Sequence, residues 1–400
     1  MRIGMLADIY KPHVSGVTHY IDLNKRVLEA RGHEVFVFTF GERTEHEEPG
    51  VVRSPGVPVP MADSGLYLSF RFNDAAQRQL ETMDVVHVHH PFLSGRLALR
   101  YCRPAGIPIV FTNHTRYDLY AQAYLPMLPD QIGTSFLQAY LPSFCREVDL
   151  VIAPSEGLRR VLRELEVEAE IEVIPNGVDL APFAAEIEPI PRSQLGVPAE
   201  DVLLIYIGRV GPEKNLTFLV RAFAGAQAGY DEASLLIVGT GPESDNLRDL
   251  VERSGLSNKV HMTGLVPYED IPRYLKAADA FVSASVTEVH PLSVIEALAA
   301  GLPVVGIDSP GVGDTVTDGY NGLLAKHDLP AFTAKLTRLL SDADTRRKLA
   351  GNAVESARAY DVERTSGLVE EHYQRLAMRP PRRRVRLWRD LWHRLRGAFL

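Results

Sequence analysis

Two doubly wound α/β domains facing each other across a cleft, followed by a basic amphipathic tail, are the architecture this sequence predicts, and three observations predict it. The chain has 400 residues, far more than the roughly 150 of one ordinary domain. Two series of short apolar runs, each run ending in polar or glycine-bearing residues and followed by a helix-length segment, read as buried parallel strands of βα units. Between the two series lies a Pro/Gly-rich stretch from Ile174 to Pro198. A composition of 46% hydrophobic and 24% charged residues supplies enough apolar surface for two cores and excludes disordered, collagenous and coiled-coil chains.

The first series opens with a strand over Arg2 to Asp8, a glycine-bearing turn at Ser15 and Gly16, and a helical pattern at Ile21, Leu23, Val27 and Leu28 that ends at Gly32. HEVFVFTF, DVVHVHH, IPIVFTNH and DLVIAPS follow as strands. Parallel strands buried on both faces place function at their carboxyl ends. After the loop PNGVDLAPF come DVLLIYIGR, ASLLIVGTG, KVHMTG, AFVSAS, LPVVGID and NGLLA. The domains are expected at 1–185 and at 186–358. A helix over 359–378 is expected to cross back to the first domain, and the tail occupies 379–400. The chain is largely helical after Asp328, and the prolines of RPPRRR cannot continue a helix.

The net charge of -8 argues against a nucleic-acid binder, which needs a basic footprint to displace counterions. The total conceals a split: from Arg379 to Leu400 there are eight Arg and one Asp, so the tail carries +7 and the body -15. Cys102 and Cys145 lack CxxC or Cys/His spacing and read as buried small hydrophobes in a reducing compartment. The N-terminus turns polar too soon for a secretory signal. No window approaches the roughly 18 apolar residues of a membrane span, so membrane contact would be peripheral.

TEVHPLSVIEALAAGLPVV is the most informative stretch. Pro291 suits the first helical position and Gly301 the helix end. The free amides of Leu292, Ser293 and Val294 then face outward at a helix N-terminus, where directed N–H groups and the dipole stabilise a phosphate. A carboxylate accepts from two vicinal hydroxyls, which suggests a ribose for Glu296 and a sugar for Glu288. In GRVGPEKN, Arg209 and Lys214 flank a glycine turn at the carboxyl end of a strand, where a planar fork and a point charge can converge on a diphosphate.

Arg209 and Lys214 in GRVGPEKN, the E-x7-E element from Glu288 to Glu296, PNGVDLAPF and GVGDTVTDGYNGLL resemble family 4 retaining glycosyltransferases. The resemblance runs in order from Arg2 to about Met378. It implies the GT-B fold, two Rossmann-like domains, and transfer of a hexose from a nucleotide diphosphate sugar. It further implies that Arg209 and Lys214 stabilise the leaving diphosphate, Glu296 holds the donor ribose and Glu288 meets donor-sugar hydroxyls. The amides of Leu292 and Ser293 would join the phosphate site, Gly16 and Val266 would lie against the donor, and His114 would lie near the reacting centre. Family members usually have two adjacent glycines at Ser15-Gly16, and often Phe-Gly or Gln-Gly at His290-Pro291. The implied mechanism is electrostatic and retaining, without metal or cofactor, the nucleotide sugar being a co-substrate; the leaving phosphate helps deprotonate the acceptor.

Weaker signals have structural readings. GTGP at 239 to 242 lacks the third glycine of a dinucleotide fingerprint. Asp342-Ala-Asp344 matches a metal-binding DxD but lies between helical runs and reads as a helix cap. His87, His89 and His90 read as satisfied cleft-edge histidines. In NHTRYDLYAQAYLP, by contrast, Tyr117, Tyr120 and Tyr124 fall on one helical face. The pattern resembles lipid-directed, diacylglycerol glucosyltransferase-like members of the family, with these tyrosines and His114 on the acceptor side. LYLSFRF is a second amphipathic contact. The tail places Val385, Trp388, Leu391, Trp392, Leu395 and Phe399 at helical spacing among Arg382, Arg383, Arg384 and further arginines, the pattern of an interfacial anchor on anionic lipid. The expected enzyme transfers glucose from UDP-glucose to a membrane lipid such as diacylglycerol, at the inner face of the cell membrane. GDP-mannose as donor, a soluble acceptor, or a non-catalytic membrane scaffold are the alternatives.

Overall fold

The computed structural model describes residues 1–43, 47–59, 65–117, 119 and 130–379, with backbone alone for 130–138. Its first sheet is built from β1 (Arg2–Leu6), β2 (Glu34–Phe40), β3 (Val51–Ser54), β6 (Val85–Val88), β7 (Ile109–Thr112), β8 (Leu150–Ala153) and β9 (Ile171–Val173); β4 (Val57–Pro58) and β5 (Tyr67–Leu68) form a separate short hairpin. The order β3-β2-β1-β6-β7-β8-β9 is parallel throughout. Every residue of β6, β7 and β8 is buried, which is why these runs read as continuous apolar stretches. The edge strands β3 and β9 carry no comparable signal in the sequence: each keeps residues only partly buried.

The second sheet contains β10 (Val202–Ile207), β11 (Ala233–Val238), β12 (Val260–Gly264), β13 (Ala280–Ser283), β14 (Val304–Ile307) and β15 (Gly322–Ala325), again all parallel, in the order β12-β11-β10-β13-β14-β15. The strand order reverses between β10 and β13, and in the first sheet between β1 and β6. Ligands of doubly wound sheets bind at such switch points, outside the carboxyl ends of the strands.

Two segments pass between the domains side by side. The Val178 N–H donates to Tyr360, and the Val362 N–H donates to the Val178 carbonyl. A side chain on Gly177 would collide with Thr365 Oγ1, so the PNGV turn touches the returning chain directly. The helix Val362–Ala377 then lays Val369, Tyr373 and Leu376 into the first domain's core beside Ile3, Met5, Ile21 and Val85. Ser366 Oγ donates to Asn24 Oδ1 at 2.9 Å, and Arg31 pairs with Glu370 at 2.9 Å. Cys102 and Cys145 are buried, and burial raises both thiols, Cys145 to about 12. Residues Arg382, Arg383, Arg384, Trp388 and Trp392 lie outside the described residues, as do Tyr120 and Tyr124.

Candidate active site

The two loops that carry the candidate donor residues leave the strands flanking the second switch point. Gly208 to Asn215 follows β10, and Ala284 to Pro291 follows β13. They are stapled together: Ser285 Oγ donates to the Glu213 carbonyl at 3.1 Å, Thr287 Oγ1 to the same carbonyl at 3.3 Å, and Asn215 Nδ2 to the Ala284 carbonyl at 3.2 Å. Asn215 takes the left-handed conformation at φ 56°, which asparagine tolerates better than most residues. The result sets Lys214 Nζ 2.6 Å from Glu288 Oε1 and Arg209 Nη1 3.6 Å from Glu213 Oε1. Each candidate cation therefore rests on a carboxylate of its own domain. The Arg209 side chain remains 64% exposed.

GTGP supports this rim from below. Gly239, at φ 133°, packs so closely that a Cβ would collide with the Gly208 carbonyl, and one on Gly241 would collide with that of Val210. Its glycines serve backbone contact between adjacent loops.

The helix Leu292–Ala299 begins beside Glu288, with Pro291 as its N-cap residue and not, as the sequence suggests, its first helical position. The Val294 N–H is already committed to the Pro291 carbonyl at 3.2 Å, which leaves the amides of Leu292 and Ser293, without intrahelical acceptors, at the end of the helix. Gly301, at φ 85°, follows the helix end as expected. Glu296 is buried, and its Oε1 accepts from the Tyr268 hydroxyl at 2.9 Å. Burial raises its carboxyl to about 7, against the moderating Tyr268 hydrogen bond. Val266, two residues before Tyr268, is partly buried against the second domain's core. His290 lies edge-on to the Tyr360 ring at 5.0 Å, with its carbonyl held by Asn176 Nδ2 at 3.0 Å; burial lowers its imidazole to about 4.

The first domain meets this surface closely. A Cβ on Gly16 would lie 3.9 Å from Leu292 Cδ1, so the N-terminus of the helix Gly16–Ala30 stands opposite that of Leu292–Ala299. Ser15 caps the first of these in a reciprocal box with Thr18. His19 packs on Tyr268 at 4.5 Å between ring centroids, and the His13 imidazole is lowered by burial and by the Arg209 charge. A further contact joins the two domains: Asp314 Oδ2 accepts from the Gly157 N–H at 2.7 Å.

At the ends of β6 and β7, His87 is held by Tyr373 at 2.5 Å and Thr112 at 2.6 Å, and His90 Nδ1 accepts from the Asp8 N–H. Those two histidines are satisfied, as the sequence suggests. His89 is not: its Nδ1 lies 3.0 Å from His114 Nε2, while its buried Nε2 has no partner among the described residues. His114 is partly exposed, with the Tyr20 ring edge-on at 4.8 Å. Tyr117 departs from the helical expectation: it sits in a turn, buried, with Phe92 edge-on at 5.3 Å. As placed, its ring is core. Asp342 caps the helix Ala343–Ala357 through the Thr345 N–H at 2.8 Å. Sequence reasoning missed Tyr268 and His19, which become partners only once separate elements meet, and Glu213, which pairs with Arg209 within one loop.

Two cations, a helix N-terminus and a buried carboxylate on one rim can hold an anionic group next to a diol. Residues 14–182 match the family model described as Glycosyltransferase Family 4, and residues 188–356 match Glycosyl transferases group 1. An alpha-monoglucosyldiacylglycerol synthase of Streptococcus pneumoniae (strain ATCC BAA-255 / R6) is 32% identical over 82% of this chain and 76% of its own. A protein of the same name from Acholeplasma laidlawii is 30% identical over 81% of this chain and 84% of its own. Among solved structures, a sucrose-phosphate synthase from Thermosynechococcus elongatus superposes with a TM-score of 0.74 at 22% identity, covering 94% of this chain and 99% of that one.

Proposed function

The chain belongs to the family 4 glycosyltransferases of the GT-B fold, and from that premise we propose that it moves a hexose from a nucleotide diphosphate sugar, UDP-glucose, to a membrane lipid such as diacylglycerol. The observation that carries the donor half is the meeting of Arg209, Lys214 and the Leu292–Ala299 N-terminus on one rim, with buried Glu296 behind it. In this reading the cations and the amides of Leu292 and Ser293 receive the diphosphate, Glu296 accepts from the ribose diol and Glu288 from the sugar. The opposed N-termini at Gly16 and Leu292 close over the phosphates, and Val266 lines the donor side. As the bond from the anomeric carbon to the diphosphate oxygen breaks, charge grows on that oxygen, where fixed donors stabilise it most. The acceptor oxygen bonds to the anomeric carbon on the same face, and its proton passes to the departing phosphate. Configuration is retained.

The acceptor half is supported by the two alpha-monoglucosyldiacylglycerol synthase relatives. Among the described residues no helix is long and apolar enough to cross a membrane. The hairpin β4-β5 and its continuation expose Val57, Leu68 and Phe70 next to Arg71, an apolar surface with a cation at its edge. With the Arg/Trp tail, these features support a peripheral position on anionic lipid at the cytoplasmic face.

One assay tests both halves: radiolabelled nucleotide sugars offered singly with membrane lipid extract, products partitioned into organic solvent. Label from UDP-glucose should enter the organic phase. Label that stays wholly aqueous overturns the lipid acceptor, and organic label from GDP-mannose instead overturns the donor. Deleting residues 379–400 should release the protein from anionic vesicles; undiminished binding rejects the tail as anchor.

A further inference from the structure

His89 and His114 share one proton across the 3.0 Å gap between His89 Nδ1 and His114 Nε2. Both rings are neutral, since burial and the neighbouring histidines hold them well below the ordinary imidazole range. A neutral imidazole has one N–H, so the pair has two arrangements. In one, His89 donates from Nδ1, His89 Nε2 is a bare lone pair, and His114 carries its own N–H at Nδ1. In the other, His114 donates from Nε2, His89 carries an N–H at Nε2, and His114 Nδ1 is the bare lone pair.

The environment of His89 Nε2 separates the two. That atom is buried without a partner among the described residues, in a side chain with no exposed surface. Buried N–H groups without an acceptor are rarer in proteins than buried acceptors with an unused lone pair, so the first arrangement is favoured. The rings have little freedom to escape the choice. His87 lies 4.2 Å from His89 and is fixed by Thr112 and by Tyr373 of the returning helix, while Tyr20 packs against both His89 and His114.

We propose that His89 is a positioning residue that fixes His114 as its Nδ1–H tautomer, so that His114 offers the cleft a hydrogen-bond donor to a sugar or acceptor oxygen and not a base. The proposal rests on the reading above that places His114 at the reacting centre. It leaves the acceptor proton to the departing phosphate, because a ring nitrogen that already carries hydrogen cannot take it.

The test uses the full chain labelled with 15N-histidine. Long-range 1H–15N correlation reads each tautomer, and the His114 signals are those lost in His114→Gln. His89 and His114 are both expected to be protonated at Nδ1; His114 protonated at Nε2 overturns the proposal. In parallel, His89→Asn keeps an amide N–H where Nδ1 stands, and His89→Leu removes it. The Asn variant should keep kcat within about threefold, whereas the Leu variant should lose about tenfold or more in kcat with little change in donor KM. Equal loss in both, with His114 unchanged in tautomer, shows a packing role only and also overturns it. If the Leu variant fails to fold, the spectrum of the parent decides. A chain without transferase activity but with both rings in the Nδ1–H form removes the functional reading and leaves the tautomer assignment standing.

Discussion

The two walls of the cleft are built from opposite chemistry. The C-terminal wall is charged and open: Arg209 is 64% and Lys214 23% exposed, each beside a carboxylate that can exchange it for a more highly charged partner. The N-terminal wall near His114 is neutral and closed, made of His87, His89, Tyr20 and Tyr373, all buried. A charge placed there would be desolvated, and the buried carboxylate of Asp8 nearby is already spent on the Leu93 and Ser94 amides, so such a charge costs several kcal/mol or more. Under the proposed function, the contrast places the developing charge of the leaving group on one wall, and on the other a fixed shape with neutral hydrogen bonds.

The largest expected effect comes from removing charge on the open wall. Lys214→Ala and Arg209→Ala should each lower kcat by roughly 10²–10³-fold, the usual cost of losing a preorganised group at a developing oxyanion. For Arg209, whose side chain is mostly in solvent, the melting temperature should not move. Near-parental kcat in either variant would break the contrast.

Gly239→Ala attacks the same wall through its support. The new methyl group meets the Gly208 carbonyl at a φ that side-chain-bearing residues rarely adopt, so the Arg209 loop must shift. A loss of about tenfold in kcat is expected, since small misplacements of positioning groups cost about that or more, together with a lower melting temperature. Unchanged activity with lowered stability would show that the loop is held independently.

Glu296 sharpens the comparison because it is a buried acid on the charged wall. With its carboxyl raised to about 7, it holds a proton at about pH 6 and loses it by about pH 8. The ionised form accepts from both hydroxyls of a diol more strongly than the protonated one, so donor KM should fall severalfold over that range in the parent and stay flat in Glu296→Gln. Stability moves the other way. The unfolded chain gives up this proton near the ordinary value of 4.5, so the group's favourable contribution is full below that pH and is lost as pH rises through about 7. The melting temperature of Glu296→Gln should therefore gain on the parent between about pH 5 and pH 8.

Much of this was legible in the sequence, for identifiable reasons. Strands buried on both faces, such as VVHV and VLLIYI, announce themselves as apolar runs, and the switch points then fix which loops meet. Lys214, Arg209 and Glu296 follow from charge at strand ends and helix starts. Tyr268 carries no such signal: its value lies in a hydroxyl on Glu296, reached across its own domain, and a ring on His19, a contact that exists only when the two domains meet. The histidine run was partly readable. Strand alternation puts His87 and His89 on one face, where their rings are 4.2 Å apart, and His90 on the other against Asp8; the orphaned nitrogen of His89 depends on packing that no local pattern encodes.

The smallest expected effect concerns Asp342, whose motif imitates a metal site on the charged wall's own domain. Its two carboxylate oxygens are spent locally, Oδ1 on the Thr345 N–H at 2.8 Å and Oδ2 on the Thr345 hydroxyl at 2.6 Å. Those bonds hold its carboxyl below the ordinary range, the hydroxyl contributing most, so the cap is present at neutral pH and fades as acid protonates it. Asp342→Ala should lower the melting temperature slightly, Asp342→Asn should restore it, because asparagine caps as well, and kcat with donor KM should be unchanged in both. If instead Asp342→Ala loses turnover while keeping its melting temperature, the acid serves the reaction. The charged wall would then be built on more than Arg209, Lys214 and a helix end, and its contrast with the histidine wall would have to be redrawn around an acid the cap does not explain.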